Sequence, residues 1–306
     1  MVDRSRSVAL IAIDWGTTTS RAYCLDAEGG IVAEHSAALG VQKVEGGRFR
    51  EALAMLVGGY TPTGTPLIAC GMIGSRQGWI EAPYVHCPTN FAAIAAALTY
   101  VSDATLAIVP GLICRDPEGI PDVMRGEETQ VFGSLEDAGE RQIVVLPGTH
   151  SKWVLVDHGG IETFTTFMTG ELYAVLREHS ILGRLAASGA DASAFDRGVC
   201  ASLRSGAALS HDLFSARTRA LSGELAPEGV PDYLSGLLLG AEVAGARSWI
   251  ERQSARDLPI TLIGESMLCD RYRRALKAAD ISAVTGPSDA AARGLWRFAN
   301  NAGIVR

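Results

Sequence analysis

The sequence predicts an α/β protein of two domains, and three observations carry that reading. An apolar strand, a Gly-Thr turn and a second apolar strand occur twice, as IAIDWGTTTSRAYCLD from Ile11 to Asp26 and as VVLPGTHSKWVLVD from Val144 to Asp157. Behind each copy, helix and strand patterns alternate. The chain has 306 residues and 47% apolar content, enough for two cores when a domain usually holds about 100 to 200 residues.

In the first half, Glu28-Gly29-Gly30 is a turn and Ile31 to Glu34 a third strand, which completes an antiparallel meander. Phe49 to Val57 has helical periodicity, and Pro66 to Cys70 is a short buried strand leading into GMIGSRQGW. An alanine-rich helix over Phe91 to Leu98 and a strand over Leu106 to Val109 follow, and DVMRGEETQVFG reads as a helix opening near Asp122. In the second half, helices are predicted over Glu171 to Glu178, after the Thr169-Gly170 turn, and over Asp232 to Gln253. A strand over Pro259 to Ile263 ends at Gly264-Glu265-Ser266, and helices over Arg271 to Ala279 and Ser288 to Ala299 close the chain. The expected domains are residues 1–140 and 141–287, with 288–306 a helix packing back at their junction. No low-complexity linker separates the halves.

Both hairpins have the form of a phosphate cradle. Gly16 and Gly148 let the backbone approach an anion, and Thr17, Thr18, Thr149 and Ser151 place hydroxyls beside turn amides that form a nest. Two such turns would clamp a polyphosphate. Asp14 ends an apolar strand, where a carboxylate is costly to bury unless it binds a metal or hydrogen-bond donors; a turn-capping Asp is the other reading.

The net charge of -7 argues against a nucleic-acid partner. Six cysteines show neither CxxC nor His-Cys spacing, so buried free thiols in a reducing cytoplasm are expected rather than zinc or disulfides. After Arg4 and Arg6, the apolar run Val8 to Ile13 is too short for a signal peptide, and no segment has the length of a membrane span. P-loop, GxGxxG and HRD or DFG motifs are absent from the sequence.

The paired hairpins, the Gly-Glu-Ser after a late strand and the final helix resemble the sugar kinase, heat-shock ATPase and actin superfamily. That resemblance implies the actin-like ATPase fold: two ribonuclease-H-like domains with an interdomain cleft. Within it, GMIGSRQGW, PDVMRGEETQ, LPGTHSKWV and FMTGELYAVL resemble the 2-dehydro-3-deoxygalactonokinase family, and the resemblance runs from Ile11 to about Ala299. It implies transfer of a phosphoryl group from ATP, with Mg2+, to the 6-hydroxyl of 2-dehydro-3-deoxy-D-galactonate. Position by position, Asp14 matches the metal-holding carboxylate, and Gly16, Thr17 and Thr18 the first phosphate turn. Gly148, Thr149 and Ser151 match the second turn, and Gly264, Glu265 and Ser266 the adenosine element. Two positions depart from the superfamily pattern: Pro147 stands where many relatives have an acid, and Glu265 where a second glycine is commoner.

On the acceptor side, a carboxylate at the head of a helix before the second turn is the base in related sugar kinases. Asp122 is assigned that role, with Glu127 the alternative and Glu128 beside it not separated from the two. Arg125 lies among acids it could pair with, or contacts substrate. Arg76 suits the acid's carboxylate because guanidinium binds it bidentately, Gln77 could read a hydroxyl, and Trp79 is either core or pocket wall. His150 and Lys152 either assist phosphate binding or decorate the rim of the turn. The implied partners are a small sugar acid and ATP, with no nucleic acid and no membrane; oligomeric state is left open, a homodimer included. The rivals are a kinase for another keto-deoxy sugar acid, such as the gluconate epimer, and a non-catalytic nucleotide-gated sensor.

Overall fold

The structure is a computed structural model that describes residues 7–58, 64–102, 104–135, 139–205 and 208–305; Arg4 and Arg6 lie outside them. The chain divides into two units. One holds the described residues of Met1–Glu140 with Val156–Phe164 and Asp289–Arg306, the other Arg141–Leu155 with Thr165–Ser288.

In the first unit, β1 (Leu10–Trp15), β2 (Ser20–Leu25) and β3 (Ile31–Ala37) form the antiparallel meander. Helix α1 (Phe49–Val57) has the range its periodicity predicts, and buries Phe49, Leu53 and Leu56 against Ile11, Ile13 and Trp15 of β1. Strand β4 (Leu67–Gly71) runs parallel to β1, then come β5 (Tyr84–His86), α2 (Phe91–Ala96), β6 (Thr99–Val101) and β7 (Leu106–Ile108). The main sheet has the order β3-β2-β1-β4-β7-β6, with β7 parallel to β4 and β6 antiparallel at the edge. Strands β8 (Gly111–Arg115) and β9 (Pro121–Met124) join β5 in a small sheet.

Here the structure corrects the sequence reading. The helix expected to open near Asp122 is α3 (Glu127–Ser134), and Asp122 lies on β9 opposite Cys114 of β8. Gly126, at φ 109°, breaks the chain between strand and helix, a conformation that side-chain-bearing residues rarely adopt.

The second unit repeats the plan. Strands β10 (Gln142–Leu146), β11 (Ser151–Asp157) and β12 (Gly160–Phe167) lead to α4 (Thr169–His179), α5 (Ala192–Ser205), α6 (Leu209–Leu221) and α7 (Val230–Arg252). Strand β13 (Ile260–Leu262), α8 (Ser266–Ala278) and β14 (Val284–Thr285) complete it, and the sheet order is β12-β11-β10-β13-β14. Both sheets therefore place a hairpin meander beside parallel strands in the order 3-2-1-4-5, the ribonuclease-H-like topology. The core of this unit packs Trp153 and Leu155 of β11 against Val243 of α7 and Tyr272 of α8. Helix α9 (Ala290–Asn301) groups with the first unit, where Phe298 stacks on Phe91 at 4.4 Å and meets Phe132 of α3 edge-on.

Candidate active site

Asp14 stands one residue from the end of β1, with Arg21 opposite it on β2 and Cys70 beside it on β4. The Cys70 thiol reaches to 3.9 Å from its Oδ1. The two glycines that follow these strands explain why acids gather here. Gly71 has φ 89°, and a Cβ on it would lie 2.7 Å from the Trp15 carbonyl oxygen. A Cβ on Gly126 would lie 3.1 Å from the Gly71 Cα. Bare backbone at both positions lets the start of GMIGSRQGW meet the RGEE turn, which brings Glu127 and Glu128 toward Asp14.

Burial pushes the Asp14 carboxyl up to about 6, and the neighbouring Glu127 adds to that shift while Arg21 and Cys70 oppose it. Glu128 is fully buried and is pushed up to about 8, by burial first and by Glu127 second. Its Oε2 accepts from Gly126 N at 2.7 Å and its Oε1 from Thr129 Oγ1 at 3.1 Å. Glu127 Oε2 accepts from Arg125 N at 2.9 Å. A cavity of about 470 Å³ opens beside Asp14, lined by Gly16, Thr19, Ser20, Arg21 and Ser36.

Among the described residues no group of three or more His, Cys, Asp or Glu could hold a metal. Mg2+ does not need one, because it commonly takes one or two carboxylates and fills its shell with water and phosphate oxygens. Asp14 and Glu127, each an anion raising the other's cost, fit that mode.

The first turn is fastened by Gly16 N donating to Thr19 O at 2.9 Å, while Val41, Gln42 and Gly40 donate to the carbonyls of Gly16, Thr17 and Thr18. Thr17 and Thr18 are left exposed. The second turn is built differently. Gly148 is half-buried and Thr149 exposed, but Ser151 is fully buried, its Oγ 2.5 Å from the Tyr272 hydroxyl. Its hydroxyl anchors the turn from below instead of projecting from it. Tyr272 in turn donates to Glu242 Oε2 at 2.9 Å, and Trp153 Nε1 donates to Glu242 Oε1 at 2.8 Å. Burial raises Glu242, and Thr169 and Ser151 also hydrogen-bond to it. At Gly170, a Cβ would lie 2.5 Å from the Gly148 carbonyl oxygen, so TGEL packs directly on the turn. Glu171 N donates to Thr149 O at 3.0 Å and its carboxylate pairs with His150.

In the adenosine element, Gly264 and Ser266 are exposed, whereas Glu265 has a local task. Its carboxylate caps α8, accepting from Met267 N at 3.1 Å and Leu268 N at 3.0 Å. That explains an acid where the commoner pattern has glycine.

Asp122 is apart from the Asp14 group: it neighbours Cys114, and its Oδ1 accepts from Val123 N at 2.8 Å. Arg76 and Gln77 are exposed, with Arg76 Nε 3.0 Å from Glu81 Oε1. Trp79 stacks on Phe49 at 6.2 Å beside the first core, the packing alternative of its two readings. The Arg125 guanidinium lies 4.3 Å over the Tyr84 ring and donates through Nη2 to Ala82 O at 2.9 Å. Its Nε and Nη1 are buried without a hydrogen-bond partner, so the guanidinium ties a loop to the RGEE turn while two of its donor atoms stay unsatisfied. Sequence reasoning included Glu128 among the candidate acids but missed Glu242 and Tyr272; a lone acid inside LLLGAEVAGA was the available signal for Glu242.

The 2-keto-3-deoxy-galactonokinase family model matches residues 14–298. The chain is 39% identical over 279 residues to the 2-dehydro-3-deoxygalactonokinase of Escherichia coli (strain K12), covering 90% of this chain and 92% of that protein. A crystal structure of a Sinorhizobium meliloti protein assigned to the same activity superposes with a TM-score of 0.83 at 35% identity, over 95% of this chain and 98% of that one. The Clostridium difficile activator of 2-hydroxyisocaproyl-CoA dehydratase, with bound ADPNP, shares the fold at 14% identity, with a TM-score of 0.53 over 96% of each chain. The chain belongs to the 2-keto-3-deoxy-galactonokinase family.

Proposed function

We infer that this chain is an ATP-dependent kinase that phosphorylates the 6-hydroxyl of 2-dehydro-3-deoxy-D-galactonate. Family membership across nearly the whole chain supports the activity. The observation that carries the chemistry is the Asp14 and Glu127 pair beside the first turn, since phosphoryl transfer needs a carboxylate for the acceptor proton and a place for charge compensation. Asp14 is the residue to hold Mg2+, which when bound neutralises charge on the phosphate oxygens. Glu127 is the better base than Asp122, because it alone of the two shares the electrostatic surroundings of Asp14. It would accept the hydroxyl proton as the oxygen attacks the γ-phosphorus and the β–γ bridging oxygen leaves with ADP.

Turn amides at Thr17 and Thr18 and at Gly148 to Thr149 would bind phosphate oxygens, with Gly16 giving close backbone approach and Gly264 to Ser266 against the nucleoside. Arg76 would exchange its exposed Glu81 partner for the substrate carboxylate, and Gln77 is placed next to it for a hydroxyl. Among the described residues no helix is long and apolar enough to cross a membrane; a cytoplasmic site of action follows from the need for ATP, and sedimentation would test a homodimer. The decisive experiment is a coupled ADP-release assay with both C4 epimers of the keto-deoxy acid. Turnover of the galactonate form over the gluconate form is expected. Preference for the epimer would move the substrate, and ATP binding without turnover of any acid would favour the sensor.

A further inference from the structure

Lys152 is only 5% exposed, yet nothing in the first-order chemistry above uses it. On β11 its neighbours Ser151 and Trp153 face Tyr272 and Glu242, and side chains alternate along a strand, so Lys152 faces the opposite side of the sheet. There its Nζ donates to Thr166 Oγ1 at 2.9 Å. Among the described residues it has no other hydrogen-bond partner and no carboxylate pairs with it. A buried ammonium with three donors and one neutral acceptor is costly; a methionine would fill the same volume without that cost.

The duplicated hairpin explains how the charge came to stand alone. Ser20-Arg21 follows the first turn as Ser151-Lys152 follows the second, and both serines are buried. In the first copy the cation lies opposite Asp14 and pairs with Glu34 at 3.2 Å. In the second copy the residue before the turn glycine is Pro147, and the strand end carries no acid. The lysine keeps its charge position and loses its counterion.

We propose that Lys152 is a catalytic residue whose ammonium binds an anionic oxygen of the bound reactants beside the second turn. Thr166 holds the amine in place, and the missing counterion arrives with the ligand. Two sources supply such an oxygen, the phosphoryl group in transfer and the carboxylate of the acceptor. The proposal rests on the kinase reading, and the test separates the two.

Lys152→Met and Lys152→Gln are assayed by coupled ADP release beside the wild-type enzyme, varying ATP and 2-dehydro-3-deoxy-D-galactonate in turn, after circular dichroism melts. Met keeps the apolar stem without the amine, and Gln, one atom shorter, keeps an NH2 directed toward Thr166, so at least the Gln enzyme is expected to fold. A loss in kcat/KM of about 100-fold or more is expected. If it falls in kcat with both KM values little changed, the oxygen is phosphoryl; if it falls in KM for the acid alone, the oxygen is carboxylate. A folded variant with kcat and both KM values within roughly threefold of wild type overturns the role of Lys152. A wild-type enzyme that turns over no keto-deoxy acid overturns the kinase reading, and the role with it.

Discussion

Glu242 joins elements that the sequence separates by more than a hundred residues, and its removal should be felt in both stability and nucleotide affinity. It is 2% exposed and accepts from Trp153 Nε1 at 2.8 Å and from the Tyr272 hydroxyl at 2.9 Å. Glu242→Leu leaves the indole N–H without an acceptor, and the tyrosine keeps only Ser151. One buried donor orphaned and one weakened correspond to about 2 to 5 kcal/mol. Glu242→Gln behaves differently: its amide oxygen can still accept from Trp153, and its NH2 can donate to Tyr272 while the tyrosine donates to Ser151. A cost of about 1 kcal/mol or less follows for Gln. Urea unfolding of the three proteins measures this directly, with calorimetric titration of ADPNP as the second readout. Because Tyr272 also fixes Ser151 under the second turn, the Leu variant should bind the nucleotide analogue more weakly while retaining its affinity for the sugar acid. A Leu variant as stable as wild type, or a Gln variant as damaged as Leu, would refute the hydrogen-bond assignment.

Asp14→Asn keeps the side-chain shape and removes the charge, so it should fold and lose several kcal/mol of charge stabilisation in turnover, about 10²-fold or more; near-normal rates at saturating Mg2+ would remove Asp14 from that role. Glu127→Gln should lower kcat by about 10² to 10⁴-fold with nucleotide binding intact, while Asp122→Asn should have little effect. The reverse pattern in steady-state kinetics would restore Asp122 as the base. Arg76→Ala should raise KM for the keto acid about 10- to 100-fold and leave KM for ATP unchanged, as loss of a charged hydrogen bond implies; an equal penalty on ATP would place Arg76 at the nucleotide. Glu128 titrates at about 8 in the native protein against a usual 4.5, so the native state holds a proton that the unfolded chain has released. Stability should therefore be fully present below about 4.5 and fall as pH rises toward about 8. Thermal melts without metal or nucleotide should show that slope for wild type and a shallower one for Glu128→Gln, in which Asp14, pushed up to about 6, still contributes; parallel profiles would count against it.

The parts of this molecule that could be read from sequence are those whose signal is local. Helix α1 and strand β4 follow from periodicity and from short apolar runs, and both Gly-Thr turns from their composition. Helix α6 escaped because its apolar positions are interleaved with Ser, Arg and Ala, and only its packing shows which face is inside, whereas α5 carries a readable helical period that the sequence reading passed over. Strand β9 escaped for another reason: PDVM has too few residues for a period, and its pairing partner β8 decides the matter. The misplacement of Asp122 followed from that. Its acidic run does open a helix, but Gly126 delays the start by five residues, from Asp122 to Glu127, and the carboxylate that nears Asp14 changes accordingly.

The two hairpins are similar in sequence but differ in charge and burial. In the first, the acid at the strand end is kept, the hydroxyls of Thr17 and Thr18 stand in the open, and two further glutamates gather behind bare glycine backbone. That turn gathers carboxyl groups, which suits a cation and a proton acceptor. In the second, Leu146 stands two residues before the turn glycine, Ser151 is drawn into a buried network with Tyr272 and Glu242, and Lys152, which follows its buried serine as Arg21 does, has no carboxylate partner among the described residues. Its turn is anchored from below through Ser151 and carries a buried lysine beside it, an arrangement that suits anionic oxygens. The two copies differ in charge at the strand end, where Asp14 stands two residues before Gly16 and Leu146 two residues before Gly148, and the Asp14, Glu127 and Lys152 variants test whether that contrast separates proton and metal chemistry from oxyanion binding.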